Sequence, residues 1–278
     1  MKTKITRGDS FGVFVEPTHP EQSIHDLEIG FLRELVWQER LVVLRGFQSF
    51  QGGEELSSYC ERWGVISIWP FGKILELVEQ PHPEDHIFDN NAVPLHWDGM
   101  YRPQVPEFQI FHCVSAPLSG QRGRTTFSNT VSALENAPAR TRALWEKVTG
   151  SYERKMEFYQ SKTISPIVDT HPFRGFPVIR YNEPPREEFE KFLNPPALDF
   201  TGGSPDEIAE CHRSLRETLY APENFYAHEW QTGDLVIADN FSLLHGREGF
   251  NTKAPRHLRR VHVLSQVPLD NPRLVSHQ

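Results

Sequence analysis

Residues 233–263 read GDLVIADNFSLLHGREGFNTKAPRHLRRVHV, and they narrow the fold more than any other stretch. An apolar β-type run, Leu235, Val236 and Ile237, turns at Asp239-Asn240 and delivers His245 directly after two leucines. Gly246 and a polar turn follow. From Arg256 the chain alternates, so Arg256, Leu258, Arg260 and His262 share one face of a strand while His257, Arg259, Val261 and Val263 share the other. A sheet does not ordinarily bury guanidinium groups, so the face with two arginines is either wet or turned toward an anion.

A second chemical centre lies in NAVPLHWDGMY, residues 91–101. His96 and Asp98 stand two apart on an extended segment, project to one face and can hold one ion together. With His245 they supply two imidazoles and one carboxylate, the facial set that leaves three positions open on a non-haem iron(II). With 13 His and 37 acidic residues in 278, about one or two His-x-Asp/Glu triplets arise by chance, so the triplet alone is weak. Two decoys exist, His19-Pro20-Glu21 and His82-Pro83-Glu84. Each puts proline between its would-be ligands, which argues against a central strand. His96-Trp97-Asp98 has no such defect.

These residues resemble the iron(II)/2-oxoglutarate-dependent oxygenases of the taurine dioxygenase (TauD/TfdA) type. The resemblance implies that His96, Asp98 and His245 bind iron as the catalytic centre. It further implies that Arg256 grips the distal carboxylate of 2-oxoglutarate and that Arg260, four residues on, meets the substrate's anionic group. Gly123-Arg124-Thr125 followed by Phe127 is similar to the family's co-substrate segment, which makes Thr125 a co-substrate contact. THPFRGFPVIRYNEPP from Thr170 is similar to a further family segment. The four motifs occur in order over residues 41–263. Long runs such as WPFGKILELVEQ, EDHIFDNNAVPLHWDGMY and PEFQIFHCVSAP resemble the PvcB-type branch of the family, which processes tyrosine-derived isonitriles.

The resemblance implies a mainly β fold, a double-stranded β-helix or jelly roll with flanking helices and the metal at its mouth. It implies iron(II), 2-oxoglutarate and dioxygen as cofactor and co-substrates. It also implies Cα–Cβ desaturation of a tyrosine-derived isonitrile, with or without loss of the carboxylate. Halogenases of this broad class replace the carboxylate ligand with a small residue; Asp98 is present, so hydroxylation or desaturation is expected instead. For the substrate's aromatic ring, Tyr101, Trp97, Phe127 and Tyr159 are candidates, with plain core packing the competing reading of each. Two alternatives stay open: a 2-oxoglutarate-dependent hydroxylase of another amino acid, sulfonate or carboxylate, and a cupin-like zinc or metal-binding protein.

Composition bounds these readings. A chain of 278 residues with 38% hydrophobic and 24% charged residues suits one globular domain over residues 1–278. A net charge of −8 argues against a general nucleic-acid or anionic-membrane partner and leaves a small-molecule substrate. Residues 1–15 lack the apolar core of a signal peptide and no run approaches spanning length, which predicts a cytoplasmic protein. Cys60, Cys113 and Cys211 have no paired spacing and read as free thiols. Oligomeric state is open.

Along the chain, spacing predicts a short strand at 11–16, a helix from Ser23 through Val36, a strand at 41–44, and a helix at 53–63. A strand is predicted at 69–78, carrying Glu76, which faces either substrate or solvent. Residues 81–93 read as a polar loop, with His82 and His86 as exposed residues rather than ligands. Strands at 108–114 and 125–128 flank a turn at Gly120–Gly123, and a helix at 131–148 is interrupted by Pro138. Residues 151–182 read as a lid, an insertion or a connector; the stretch holds Arg154, Met156, Phe158 and Tyr159. Ser204 and Pro205 start a helix to about Tyr220. Arg247, Lys253, His257 and Arg259 read as solvated charge, and everything past Leu264 as a tail.

Overall fold

The computed structural model describes residues 2–116, 123–157, 159–185, 192–250 and 256–278. The expected positions Pro117, Phe158 and Lys253, and the start of the turn at Gly120, lie outside them.

Two sheets face each other. The larger has seven strands in the order Thr3–Arg7, Val13–Pro17, Leu41–Leu44, Leu235–Asp239, Phe108–Ser115, His257–Val263 and Leu75–Val78. The smaller has four, Phe225–His228, Thr125–Asn129, Leu243–Arg247 and Val93–His96. Period-2 alternation assigns the faces. On the strand Leu235–Asp239, Val236 and Ala238 join Leu41, Val43, Phe111, Cys113, Phe127, Leu243 and Leu258 in the core between the sheets. Leu235 and Ile237 point the other way, into a core shared with the helices Ile29–Glu39 and Gly53–Glu61. This is the jelly roll expected, with helices packed outside it.

A third sheet, Ala197–Thr201, Thr149–Met156, Tyr159–Pro166 and Leu274–His277, adds a side wall. Residues read as a lid or connector thus contain a paired hairpin. The region past Leu264 is not a tail: Leu269–Asp270 pairs with Gln104–Val105, and Leu274–His277 with Tyr159–Pro166. Sequence pattern misses both because the strands are short and their partners lie more than a hundred residues away.

Other elements follow local chemistry. Ser204 caps the helix Pro205–Leu219 through a reciprocal capping box with Glu207. Pro138 separates the helices Thr130–Asn136 and Ala139–Lys147. The helix predicted from Ser23 through Val36 is broken near its start: Ser23 and Asp26 cap one 3-10 turn, Ile24–Asp26, Leu27 is extended, and the helix proper runs over Ile29–Glu39. The strand predicted from Trp69 is confined to Leu75–Val78: Trp69 and Gly72 close a tight turn around Pro70. Glu76 faces outward and pairs with His257 and Arg259.

Candidate active site

His96 ends one strand of the small sheet and His245 sits on the next strand, directly opposite in register, with ring centroids 4.2 Å apart. Asp98 follows after one residue. Among the described residues these three form a group whose ligand atoms all lie within 4.8 Å of one another. Gly99, at φ +94°, turns the chain immediately afterwards, where a Cβ would stand 2.6 Å from Pro106 Cδ.

The donors around them are set by neighbours. His96 Nδ1 donates to the Pro94 carbonyl at 2.9 Å, so Nε2 keeps its lone pair and faces Asp98 Oδ1 at 3.8 Å. Burial holds His96 and His245 below the usual histidine range, which keeps both imidazoles neutral. Burial works against the charge of Asp98, but Arg260, His262 and His245 together hold its carboxyl well below the usual range. Arg260 Nη1, His262 Nε2 and Gln109 Nε2 converge on Asp98 Oδ2, each at 2.8 Å. Trp69 Nε1 donates to His262 Nδ1 at 3.3 Å, which puts the histidine's proton on the nitrogen facing Asp98. Asn240 bonds both the N–H and the C=O of Asp98.

Arg256 is 5% exposed. Its Nε donates to the Gly123 carbonyl at 2.8 Å and its Nη2 to Thr125 Oγ1 at 3.2 Å. No carboxylate among the described residues pairs with it, and burial together with the like charge of Arg247 pulls its guanidinium down to about 9. Thr125 Oγ1 also accepts from Trp230 Nε1 at 3.1 Å. With two donors on that oxygen, the hydroxyl proton is free for an external acceptor.

His96, Asp98, His245, Trp69, Thr125, Arg247, Arg256 and Arg260 line one open cavity of about 150 Å³. Trp97, Tyr101 and Tyr159 line it, as do Trp69, Phe71, Met100 and Phe111. Phe127, the fourth aromatic candidate, is buried in the core between the sheets. Asn182 donates to the Tyr101 hydroxyl at 3.3 Å. Arg260, expected to face a substrate anion, has one nitrogen on Asp98, while its Nε is buried without a partner among the described residues.

Two expectations are corrected. His86 is buried, stacked on Phe192 at 4.2 Å, and its pKa is lowered to about 3 by burial and then by Arg154. Arg247 is not solvated: it donates to Asp89 and to the carbonyls of His86, Ile87 and Asn91, pinning that loop to the small sheet. Loop carbonyls need donors once buried, and an arginine supplies several. His82 is exposed as expected. Gln109, Asn240 and the Asp85–Arg154 pair carried no sequence signal.

The chain is similar to several known proteins. A family model, taurine catabolism dioxygenase TauD, TfdA family, matches residues 12–262. The chain is 49% identical over 264 residues to tyrosine isonitrile desaturase of Pseudomonas aeruginosa, covering 95% of this chain and 91% of that one. It is 40% identical over 255 residues to 3-((Z)-2-isocyanoethenyl)-1H-indole synthase of Fischerella ambigua, covering 91% and 93%. PvcB, an Fe, alpha-ketoglutarate dependent oxygenase from an isonitrile synthetic pathway, superposes with a TM-score of 0.85 at 44% identity, over 99% of this chain and 96% of its own. A taurine dioxygenase from Burkholderia xenovorans, at TM-score 0.71 and 18% identity over 98% and 94%, shares the fold.

Proposed function

The chain belongs to the TauD, TfdA family of dioxygenases, and from that membership we propose that it acts on a tyrosine-derived isonitrile acid in isonitrile natural-product biosynthesis. The reaction is Cα–Cβ desaturation, with or without loss of the carboxylate. The enzyme is an iron(II)- and 2-oxoglutarate-dependent oxygenase that uses dioxygen. The observation that carries the substrate reading is the 49% identity, over 95% of the chain, to an enzyme named for that reaction. An aromatic-lined cavity beside the three ligand residues supports it.

In this reading His96, Asp98 and His245 hold the metal. The donor set fits: two neutral imidazoles and one ionised carboxylate. Arg260, His262 and Gln109 occupy Oδ2 of Asp98 and so orient the carboxylate toward its partners. Bound iron(II) and 2-oxoglutarate supply, with dioxygen, the two-electron oxidation that removes hydrogen from the substrate. Arg256 grips the distal carboxylate of 2-oxoglutarate with charge-assisted bonds, and Thr125 adds a hydroxyl donor. Tyr101, Trp97 and Tyr159 hold the substrate's ring and exclude water from the reacting carbons. Residues 1–278 form one catalytic domain.

The test is anaerobic addition of iron(II) and then 2-oxoglutarate, followed by the isonitrile acid and dioxygen, with succinate and organic product measured together. Succinate released in step with an unsaturated isonitrile is the expected result. Succinate formation stimulated by another small acid but not by isonitriles would move the assignment to a hydroxylase of that acid. No described helix is long and apolar enough to cross a membrane.

A further inference from the structure

Among the described residues five arginines line the cavity: Arg102, Arg154, Arg247, Arg256 and Arg260. Three have a carboxylate each. Arg154 Nη2 lies 2.5 Å from Asp85 Oδ2, Arg247 Nη2 2.8 Å from Asp89 Oδ1, and Arg260 Nη1 2.8 Å from Asp98 Oδ2. Among the described residues this one-to-one pairing leaves Arg256 and Arg102 without an acidic partner. Under the reading above, 2-oxoglutarate neutralises Arg256. Among the described arginines of the lining, Arg102 then remains for one more anion.

Arg102 is built for that task. Its guanidinium lies 4.5 Å over the indole of Trp69, and Nη2 donates to the Ile68 carbonyl at 2.9 Å. Its Nε is buried with no hydrogen-bond partner among the described residues. Stacking on an aromatic face fixes the plane of the fork, while the edge of the plane keeps a free donor. Burial lowers its pKa from the ordinary guanidinium value, so the charge is poorly solvated as it stands. An incoming carboxylate supplies both the missing acceptor and the missing charge.

We propose that Arg102, held flat on Trp69, is the anchor for the substrate's carboxylate and makes the enzyme select free acids over their esters. The identity of the acid rests on the isonitrile reading; the anchor itself does not.

The test measures dissociation constants on the anaerobic iron(II)–2-oxoglutarate enzyme for tyrosine isonitrile acid, its methyl ester, and the isonitrile-free pair para-hydroxyphenylpropanoate and its methyl ester. A charged hydrogen bond gives the wild type an acid-over-ester preference of about 10- to 100-fold. Arg102→Gln should erase that preference for both pairs, leaving ester binding and the KM for 2-oxoglutarate within about twofold, and Arg102→Lys should restore part of it. Retention of the wild-type preference in Arg102→Gln would overturn the proposal. So would its loss in folded, iron-loaded Arg260→Gln with Arg102 intact. If the isonitrile acid is neither preferred over para-hydroxyphenylpropanoate nor turned over, the isonitrile reading fails, while the acid–ester ratio still decides for or against Arg102.

Discussion

Replacing Arg256 by methionine should leave the protein about as stable and make it much poorer at binding 2-oxoglutarate. The guanidinium is held near 9 against an ordinary 12.5, and at about 1.4 kcal/mol per pH unit that amounts to roughly 5 kcal/mol set against the buried cation. The variant relieves this cost but loses the bonds to Gly123 O and Thr125 Oγ1, worth about 1.5–3 kcal/mol each to a charged donor. Methionine keeps the length and packs adaptably, so the two effects nearly offset each other, and the melting temperature should move by no more than about 4 °C for a chain this size. The same change removes the forked pair to the co-substrate, about 3–4 kcal/mol, or 10²- to 10³-fold in affinity. Thermal melts of the iron-loaded protein, with and without 2-oxoglutarate under anaerobic conditions, read both effects. Wild type should gain stability with added co-substrate by mass action, and the variant should not. A destabilised variant that still shows the full co-substrate shift would refute the argument.

Asp98→Ala strips the shared partner from Arg260 and His262 and leaves an uncompensated buried cation, so a loss of about 3–5 kcal/mol is expected along with a more than 100-fold drop in metal affinity by equilibrium dialysis. Normal product formation by that variant would sink the triad assignment. Gly123 sits at φ +109° with a would-be Cβ 3.0 Å from Phe250 Cβ and 3.3 Å from Arg256 Cδ. Gly123→Ala should therefore displace the arginine and raise the KM for 2-oxoglutarate about tenfold; an unchanged KM would show that the arginine's position is immaterial. Burial lowers His86 to about 3, His112 to about 4 and His171 to about 3. Below about pH 6.5 the unfolded chain binds more protons than the folded one, so stability present at neutral pH should fall steadily toward pH 4. Melts across that range that stay flat would contradict it.

The candidate metal group of His96, Asp98 and His245 was legible because most of its chemistry is local. His96 and Asp98 sit on one short extended segment, the competing triplets carry proline, and His245 follows an unmistakable apolar strand. Arg256 and Thr125 were readable through motif spacing, and the geometry brings them within one hydrogen bond. What stayed hidden depends on partners distant in sequence. Arg154 meets Asp85, and Arg247 meets Asp89, only after the polar loop has folded onto two different sheets. Neither the burial of His86 nor the pairing of Leu274–His277 has a periodic signal of its own. Arg102 follows Tyr101 in what reads as an ordinary turn, and only the charge balance of the assembled cavity singles it out.

The direct pairing of His96 with His245 across neighbouring strands also bears on how the barrel comes together. A slip of one residue between these strands would swing one imidazole to the opposite face of the sheet. A divalent ion held by both imidazoles would therefore favour the correctly paired sheet over its neighbours in register. Its binding free energy would add to the native pairing alone, so a metal held by this pair would also reward correct strand alignment.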